Sequence, residues 1–546
     1  MNAAASAATP WGRTAGRVCD GLAVAALAAV GVLVALTFKD YGLGWDDYTH
    51  AEYGGLLVRL FTSGFTDQRA FSFVNLYAYG GGFDLLAAWA SKHLPLDLWE
   101  TRRLCGGIVG IAGLAATWRA GRYLGGPLAG LIALALLATC PIYYGHMFMN
   151  PKDSPFAVAM ALALLGALRT FGEYPRPSPM TIMLLGLGFG LAIGTRILGG
   201  FAVFFALIVL AFLVASQARG EGFATARRNL ASFGLALLPA LVLAYATIAL
   251  VWPWGVVNPI DPLRALLYFS DFFETPWKEL YNGALISVPE MPRSYVPQLF
   301  ALKMPEIMLL LSLAGIAAAL RVVFQRDASP QWRAKLLFVV LAAIGPVLLT
   351  MITRPALYNG IRHFVFLTPP LAVIGGWFAA QLAAWLDARR PALALATLAL
   401  IAAAMVPPIV DMVRLHPYQY VSFNHIAGGT RAADERYMLD YWGLAFKQAS
   451  DALHALLAER GEKPKDHERW RIAVCGPQRP AQVELGPEFV VSWDPLGADF
   501  AMTLGEFYCA NLDAPVLVEI RREGVVFARV YDIRGRTFRS VLTSGK

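Results

Sequence analysis

Two adjacent carboxylates follow the first long apolar segment of the chain. Asp46 and Asp47 directly precede an amphipathic stretch at 48–65 that is expected to be helical. A carboxylate pair at the mouth of a helical bundle could act as a general base or bind a divalent metal ion. The plainer alternative is a helix cap, because Asp at a helix N-terminus accepts hydrogen bonds from free backbone N–H groups. The residue types alone leave both interpretations open.

A lysine and a third acid lie between two later apolar segments. Lys152 and Asp153 are flanked by Pro151 and Pro155 and directly precede an apolar run. The ammonium group could hold a phosphate, or it could extend along the apolar surface to the lipid headgroups. Asp153 is a second candidate acid, and helix capping is again its alternative.

Two arginines and a histidine complete the set of candidate residues. Arg196 interrupts an apolar hairpin, and Arg362 with His363 opens a late apolar segment. A guanidinium group matches the geometry of a phosphate through paired hydrogen bonds. Arg196 could instead extend to the membrane surface, and His363 could be either a proton carrier or a packed neighbour.

The composition indicates a membrane protein. The chain has 546 residues, of which 57% are apolar and 15% are charged, whereas soluble proteins have roughly 25% charged residues. The net charge of +8 does not indicate nucleic-acid binding, because the basic residues are scattered at the ends of apolar segments.

About eleven segments are long and apolar enough to be read as transmembrane helices, given that a span needs roughly 20 residues. The first follows basic residues and has no small-residue cleavage site, so we interpret it as an uncleaved anchor. The predicted spans are 18–38, 104–118, 125–147, 155–171, 179–196, 199–216, 230–252, 303–323, 335–353, 364–386 and 391–413.

Basic residues concentrate in alternate loops, which orients the chain because Lys and Arg resist translocation. With the N-terminus in the cytoplasm, the C-terminal region and all the candidate residues above lie on the outer face. The loops then assigned to the cytoplasm carry Arg119, Arg122, Arg169, Arg176, Arg219, Arg227, Arg228, Arg321, Arg326, Arg333, Lys335, Arg389 and Arg390.

Three outer segments are long, namely 39–102, 253–302 and the tail from about residue 414. The tail is predicted to form a small α/β domain, with a helix at 443–460 and strands at 471–475, 489–493, 500–504, 516–520 and 525–531. We therefore predict a membrane domain at 1–415 and an extracytoplasmic domain at 416–546. Cys475 and Cys509 could form a disulfide there, or remain two free thiols.

The sequence contains no P-loop, HExxH or CxxC pair. Nucleotide-driven and zinc-protease mechanisms are therefore unsupported. The remaining interpretation is chemistry on a membrane-borne phosphate with a carboxylate as the base.

Four of these motifs resemble the C-type glycosyltransferase (GT-C) superfamily. The nearest branch comprises the protein O-mannosyltransferases and lipid A aminoarabinose transferases, which are glycosyltransferase family 39 and its bacterial relatives. The resemblance covers roughly residues 15–415, and the tail is unlike the β-trefoil domain of eukaryotic protein mannosyltransferases. It rests on the acidic pair at 46–47, Asn150–Pro155, Gly190–Arg196, and Arg362–Phe364 with Pro369–Pro370.

The resemblance implies roles for the candidate residues. Asp46 corresponds to the catalytic base of the family, Asp47 stands where many members have Glu, and Asp153 corresponds to a second acid near the site. The donor-phosphate site would then comprise Lys152, Arg196, Arg362 and His363.

The implied fold is the GT-C fold of a multi-pass protein of the bacterial inner membrane. The implied reaction is transfer of a sugar from a polyprenyl-phosphate donor to a lipid, glycan or protein acceptor on the periplasmic face. No cofactor is required, and a divalent metal at Asp46 and Asp47 is left open. The alternatives from other classes are a lipid or solute transporter (or flippase) that uses the same charges as a substrate path, and a scaffold with an inactive membrane body.

Overall fold

The computed structural model describes residues 12–270, 277–464 and 469–536. Over these residues the chain is mostly helical, with a five-stranded sheet near its C-terminal end. The first ten helices are α1 (Gly12–Thr37), α2 (Asp47–Thr62), α3 (Gly82–Ala90), α4 (Leu98–Ala138), α5 (Pro141–Met149), α6 (Asp153–Gly172), α7 (Pro179–Thr195), α8 (Gly200–Glu221), α9 (Phe223–Val251) and α10 (Asp261–Ser270).

The later helices continue the bundle and then enter the tail. They are α11 (Tyr295–Lys303), α12 (Glu306–Phe324), α13 (Pro330–Thr353), α14 (Thr368–Asp387), α15 (Pro391–Ala403), α16 (Val406–Leu415), α17 (Gly429–Ala433), α18 (Phe446–Arg460) and α19 (Gln478–Leu485).

Nine helices among the described residues are long and apolar enough to cross a membrane. The helix α4 is counted once among them, although its backbone breaks at Gly126 (φ 85°), directly before Pro127. If its two halves are counted separately and the shorter apolar helix α7 is added, each of the eleven predicted spans corresponds to a helix. The multi-pass helical fold expected from hydropathy is therefore confirmed.

Small residues allow the membrane helices to approach closely. A Cβ atom added at Gly376 of α14 would lie 2.6 Å from the carbonyl oxygen of Ala129 in α4, and one at Gly188 of α7 would lie 2.6 Å from the nitrogen of Ala163 in α6. Within lipid, helix association depends on such backbone contact because burial of apolar surface provides no driving force there. These contacts pack α14 against α4 and α7 against α6, and α4 in turn packs against α6.

The outer segments between the spans are folded. In the first, α2 buries Tyr53, Leu57 and Leu60 and packs against α3, as its amphipathic pattern indicates. In the second, the strands β1 (Lys278–Tyr281) and β2 (Ala284–Ser287) form an antiparallel hairpin, which the sequence did not predict.

The tail contains a mixed sheet with the strand order β4-β3-β5-β7-β6. Strand β3 is parallel to β4 and β5, and β7 is antiparallel to β5 and β6. Cys475 and Cys509 are joined by a disulfide. The strands are β3 (Trp470–Cys475), β4 (Phe489–Ser492), β5 (Phe500–Leu504), β6 (Val516–Arg522) and β7 (Val525–Asp532).

Each strand lies within two residues of its predicted position at either end. The predicted helix at 443–460 begins three residues later, as α18. The α/β character of the tail is therefore confirmed.

Candidate active site

Asp46 is a partly exposed carboxylate surrounded by cations. It lies at the N-terminus of α2 without forming a side-chain cap, and its side chain is 33% exposed. Its Oδ2 atom lies 3.0 Å from Nζ of Lys152 and 4.0 Å from Nη1 of Arg362. Burial disfavours the charged form, but the charges of Lys152 and Arg362 outweigh it and hold the pKa of Asp46 well below its usual range. Asp46 is thus an ionised carboxylate accessible from outside.

Asp153 is fully buried and forms the second acidic centre of the site. Asn150 fixes it, because its side-chain amide donates to Asp153 and its oxygen accepts the backbone N–H of Asp153, each at 2.8 Å. Nη2 of Arg196 lies 2.5 Å from Oδ1 of Asp153, and Nη1 of Arg362 lies 3.9 Å from Oδ2. Arg196 therefore points into the protein rather than toward the membrane surface.

The site cluster consists of five side chains, namely Asp46, Lys152, Asp153, Arg196 and Arg362. Its net charge is +1, since three cations face two carboxylates. Nε of Arg196 and both Nε and Nη1 of Arg362 have no hydrogen-bond partner within the described part of the chain. Buried arginine donors are normally satisfied, so three free N–H groups in one cluster indicate a binding site for an anion.

Asp47 has a different role from its neighbour. It is buried, and both of its oxygens accept from Arg103, at 2.9 and 2.7 Å. Arg103 also donates to the carbonyl groups of Gly42 and Phe148. Asp47 therefore fixes the segment that carries Asp46.

No group of three His, Cys, Asp or Glu side chains is placed to hold a metal ion among residues 12–270, 277–464 and 469–536. The ring of His363 packs 5.1 Å from that of Tyr358, and no ion pair among the described residues includes it. The structure therefore brings Lys152, Arg196 and Arg362 together, with His363 within electrostatic range of these cations and of Asp153.

The tail contributes two aromatic residues to the same place. The guanidinium of Arg362 lies 5.0 Å from the ring centre of Trp442, and the hydroxyl of Tyr441 donates to Nε2 of His146 at 3.1 Å. Tyr441 and Trp442 are both buried. The fold, rather than any local sequence pattern, brings these two tail residues against the membrane helices.

Two buried carboxyl groups of the tail hold that aromatic loop in place. Asp440 accepts the backbone N–H groups of Gly443 and Leu444, at 2.9 and 3.1 Å. Glu506 accepts those of Leu439 and Asp440, at 3.1 and 2.7 Å. The position of Trp442 over Arg362 is therefore fixed from the tail side.

The second outer segment holds the turn that leads into Arg362. Asn359 and Gly360 both adopt positive φ angles, and the buried carboxylate of Glu279 in β1 accepts their backbone N–H groups at 2.6 and 3.3 Å. The hydroxyl of Tyr295 also donates to Glu279, at 2.8 Å. The unpredicted hairpin is therefore part of the scaffold of the site.

The fold and the site define a multi-pass membrane protein with a cluster of three cations and two carboxylates where its helix ends and loops meet. The model of the family described as dolichyl-phosphate-mannose-protein mannosyltransferase matches residues 97–254. That segment includes Lys152, Asp153 and Arg196, whereas Asp46 and Arg362 lie outside it. No curated protein matches the chain.

Two proteins of known structure are similar to this chain at low sequence identity. ArnT from Cupriavidus metallidurans in the apo state is 16% identical, with 95% of this chain and 98% of that chain covered and a TM-score of 0.48. The same protein bound to undecaprenyl phosphate is 15% identical, covering 93% and 98%, with a TM-score of 0.47. The apo oligosaccharyltransferase of Archaeoglobus fulgidus is 14% identical, covering 87% of this chain and 65% of that chain, with a TM-score of 0.46.

Proposed function

We propose that the chain is an integral-membrane glycosyltransferase that moves a sugar from a polyprenyl-monophosphate donor to an acceptor hydroxyl on the periplasmic face, with Asp46 as the general base. The observation that carries the proposal is the combination, in one cluster, of an accessible carboxylate and three unpartnered arginine donors. The match of residues 97–254 to a mannosyltransferase family supports it.

The charge of the cluster suits a monophosphate donor. A sugar linked to a prenyl chain through one phosphate carries a single negative charge, which balances the net +1 of the five side chains. When the sugar leaves, the prenyl phosphate carries between one and two negative charges. The cluster is then more complementary to the leaving group than to the donor, which is the condition for electrostatic catalysis.

In the proposed reaction, the acceptor oxygen attacks the anomeric carbon and its proton passes to the carboxylate of Asp46. The bond from the anomeric carbon to the phosphate oxygen breaks, and the electron pair remains on the phosphate. Arg362 and Arg196 stabilise that charge through their free N–H groups. Lys152 keeps Asp46 ionised in the resting state and can then contact the departing phosphate.

The test is transfer of label from a panel of radiolabelled polyprenyl-phosphate sugars to envelope acceptors by the purified protein. Loss of a positioned general base typically lowers the rate by roughly 10²–10⁴-fold, so we expect Asp46→Asn to lose activity by about that factor. The matched control is Asp67→Asn in the same outer segment, whose carboxylate pairs with Arg69.

The two outcomes separate this proposal from its rival. A protein that moves no sugar from any donor, but translocates a lipid or solute in an Asp46-dependent manner, would be a transporter or flippase. Near-normal transfer by Asp46→Asn would leave the glycosyltransferase in place and remove Asp46 as its base.

A further inference from the structure

Behind Asp46 lies a second buried cluster that the proposed mechanism does not use. It joins three helices: His50 on α2, Asp84 on α3 and Arg102 on α4. Nδ1 of His50 lies 2.6 Å from Oδ2 of Asp84, and Nη2 of Arg102 donates to Oδ1 of Asp84 at 2.7 Å. All three side chains are at most 3% exposed.

The partners of Asp84 determine which nitrogen of His50 carries the proton. Arg102 pairs with Asp84 at 2.7 Å within the protein, which favours the ionised carboxylate. An ionised carboxylate accepts hydrogen bonds only, so Nδ1 of His50 must donate. In the neutral ring, Nε2 is then left with a free electron pair, as in other histidines held by a carboxylate.

Nε2 of His50 has no hydrogen-bond partner among the residues of the described ranges. The backbone N–H of His50 donates to the carbonyl of Asp46 at 3.0 Å, so the two residues are one helical turn apart. Side chains at this spacing lie about 5–6 Å apart at Cβ, and the two side chains interact electrostatically. The buried ring therefore offers an unused base next to Asp46.

We propose that His50, oriented by Asp84 and Arg102, receives the proton that Asp46 takes from the acceptor. This inference rests on the proposed function. The acceptor proton moves first to the carboxylate of Asp46 and then to Nε2 of His50, while the electron pair of the broken glycosidic bond leaves with the phosphate.

The direction of this transfer follows from the surroundings of the two groups. Imidazole is a stronger base than a carboxylate, and Lys152 and Arg362 further reduce the tendency of Asp46 to keep a proton. His50 thereby restores the ionised Asp46 while the product phosphate is still bound nearby. The charged groups that the contacts place at His50 are Asp84 on α3, its partner Arg102 on α4, and Asp46 directly before the helix of His50.

The chain provides a matched control pair. His416 and Asp40 also form a histidine–aspartate contact, at 2.8 Å, but both ring nitrogens of His416 have partners because Gln419 contacts the other at 3.0 Å. We expect His50→Gln to lower kcat by about tenfold at neutral pH, with the donor KM changed by less than about twofold. His416→Gln should leave both parameters near wild type.

The division of the effect between kcat and KM separates proton transfer from a structural role. A rise in donor KM with constant kcat in His50→Gln, or a kcat equal to that of the wild type, would overturn the proposal.

A spectroscopic measurement tests the relay without sugar transfer. In ¹⁵N-histidine-labelled wild-type protein, the signal assigned to His50 by its loss in His50→Gln should show a protonated Nδ1 and an unprotonated Nε2 at pH 8. The opposite tautomer would exclude the relay, whatever the result of the transfer assay. If His50→Gln does not fold, Asp84→Asn serves as the second variant and should lower the Nδ1–H population of the same signal.

Discussion

Asp46 and Asp47 are adjacent in sequence, but their carboxylates contact different parts of the fold. Asp46 meets Lys152 and remains accessible, whereas Asp47 is enclosed by Arg103. The sequence predicted an acidic pair at the site and could not assign the two roles, because the partners lie 56 and 106 positions away. At the scale of residues, the chemistry is set by long-range ion pairs that no local pattern encodes.

We expect Asp47→Asn to lower stability more than Asp46→Asn does. The change leaves Arg103, whose side chain is only 4% exposed, without its counter-charge. Removing one partner of a buried ion pair costs about 3–5 kcal/mol. Thermal unfolding in detergent should show a clear drop in Tm for Asp47→Asn and little change for the control Asp67→Asn, whose partner Arg69 is exposed. Equal Tm values for Asp46→Asn and Asp47→Asn would contradict the scaffold role of Asp47.

At the scale of elements, hydrophobic periodicity predicted the membrane helices and the tail strands. It did not predict the features that depend on contacts between distant segments. The long apolar helices and the strands of the tail followed from hydropathy and alternation. The hairpin β1–β2 has only four residues in each strand and carries no comparable signal. The contact of Trp442 with Arg362 depends on how the tail docks, which neither segment indicates by itself.

We expect Glu279→Ala to weaken donor binding without removing the base. The change leaves the N–H groups of Asn359 and Gly360 without their carboxylate acceptor, so the turn that positions Arg362 should loosen. The donor KM should rise by about tenfold while kcat falls less. Glu290→Ala, in the same segment but with an exposed side chain, is the control. A wild-type KM for Glu279→Ala would show that the turn at Asn359 and Gly360 keeps its conformation without the Glu279 carboxylate.

At the scale of the whole molecule, the candidate site is shared among the first outer segment, four membrane helices and the tail. All its residues lie on the side that the charge bias of the loops assigns to the outside. The family match covers only the central part of this assembly. Both orientation and the coupling of the tail to the membrane body can therefore be tested independently of sugar transfer.

We expect a thiol reagent that cannot cross membranes to label Thr66→Cys in intact cells and not Asp327→Cys. Residue 66 is exposed in the first outer segment, and residue 327 is exposed in a loop assigned to the cytoplasm. Both positions should be labelled after the cells are permeabilised. The reverse pattern would place the site in the cytoplasm and remove the periplasmic acceptor.

The docking of the tail should weaken as the pH rises. Burial and the neighbouring Asp440 raise the pKa of Glu506 from 4.5 to about 8, although two backbone N–H groups oppose the shift. Between these values the folded state holds a proton that the unfolded state has lost, so stability is present at low pH and decreases as the pH rises through 8. Tm measured from pH 5.5 to 8.5 should fall in the wild type and fall less in Glu506→Gln.

The control for this prediction is Glu519→Gln, whose carboxylate pairs with Arg529 and Arg521 near the surface. The pKa of Glu519 is lowered, so its carboxylate stays ionised from pH 5.5 to 8.5. The Glu519→Gln change should therefore leave the slope of Tm against pH unchanged. A slope in Glu506→Gln equal to that of the wild type would show that Glu506 does not hold its proton in the folded tail.

The position of Trp442 in chain order has a consequence for biogenesis. Tyr441 and Trp442 follow every membrane helix along the chain, yet they lie against Arg362 and His146. During synthesis, the bundle can therefore insert before its charged cluster receives its aromatic cover, and the nascent protein has an incomplete site. Completion of the site then depends on folding of the tail, so a folding defect there would leave an inserted protein with an incomplete site in the membrane.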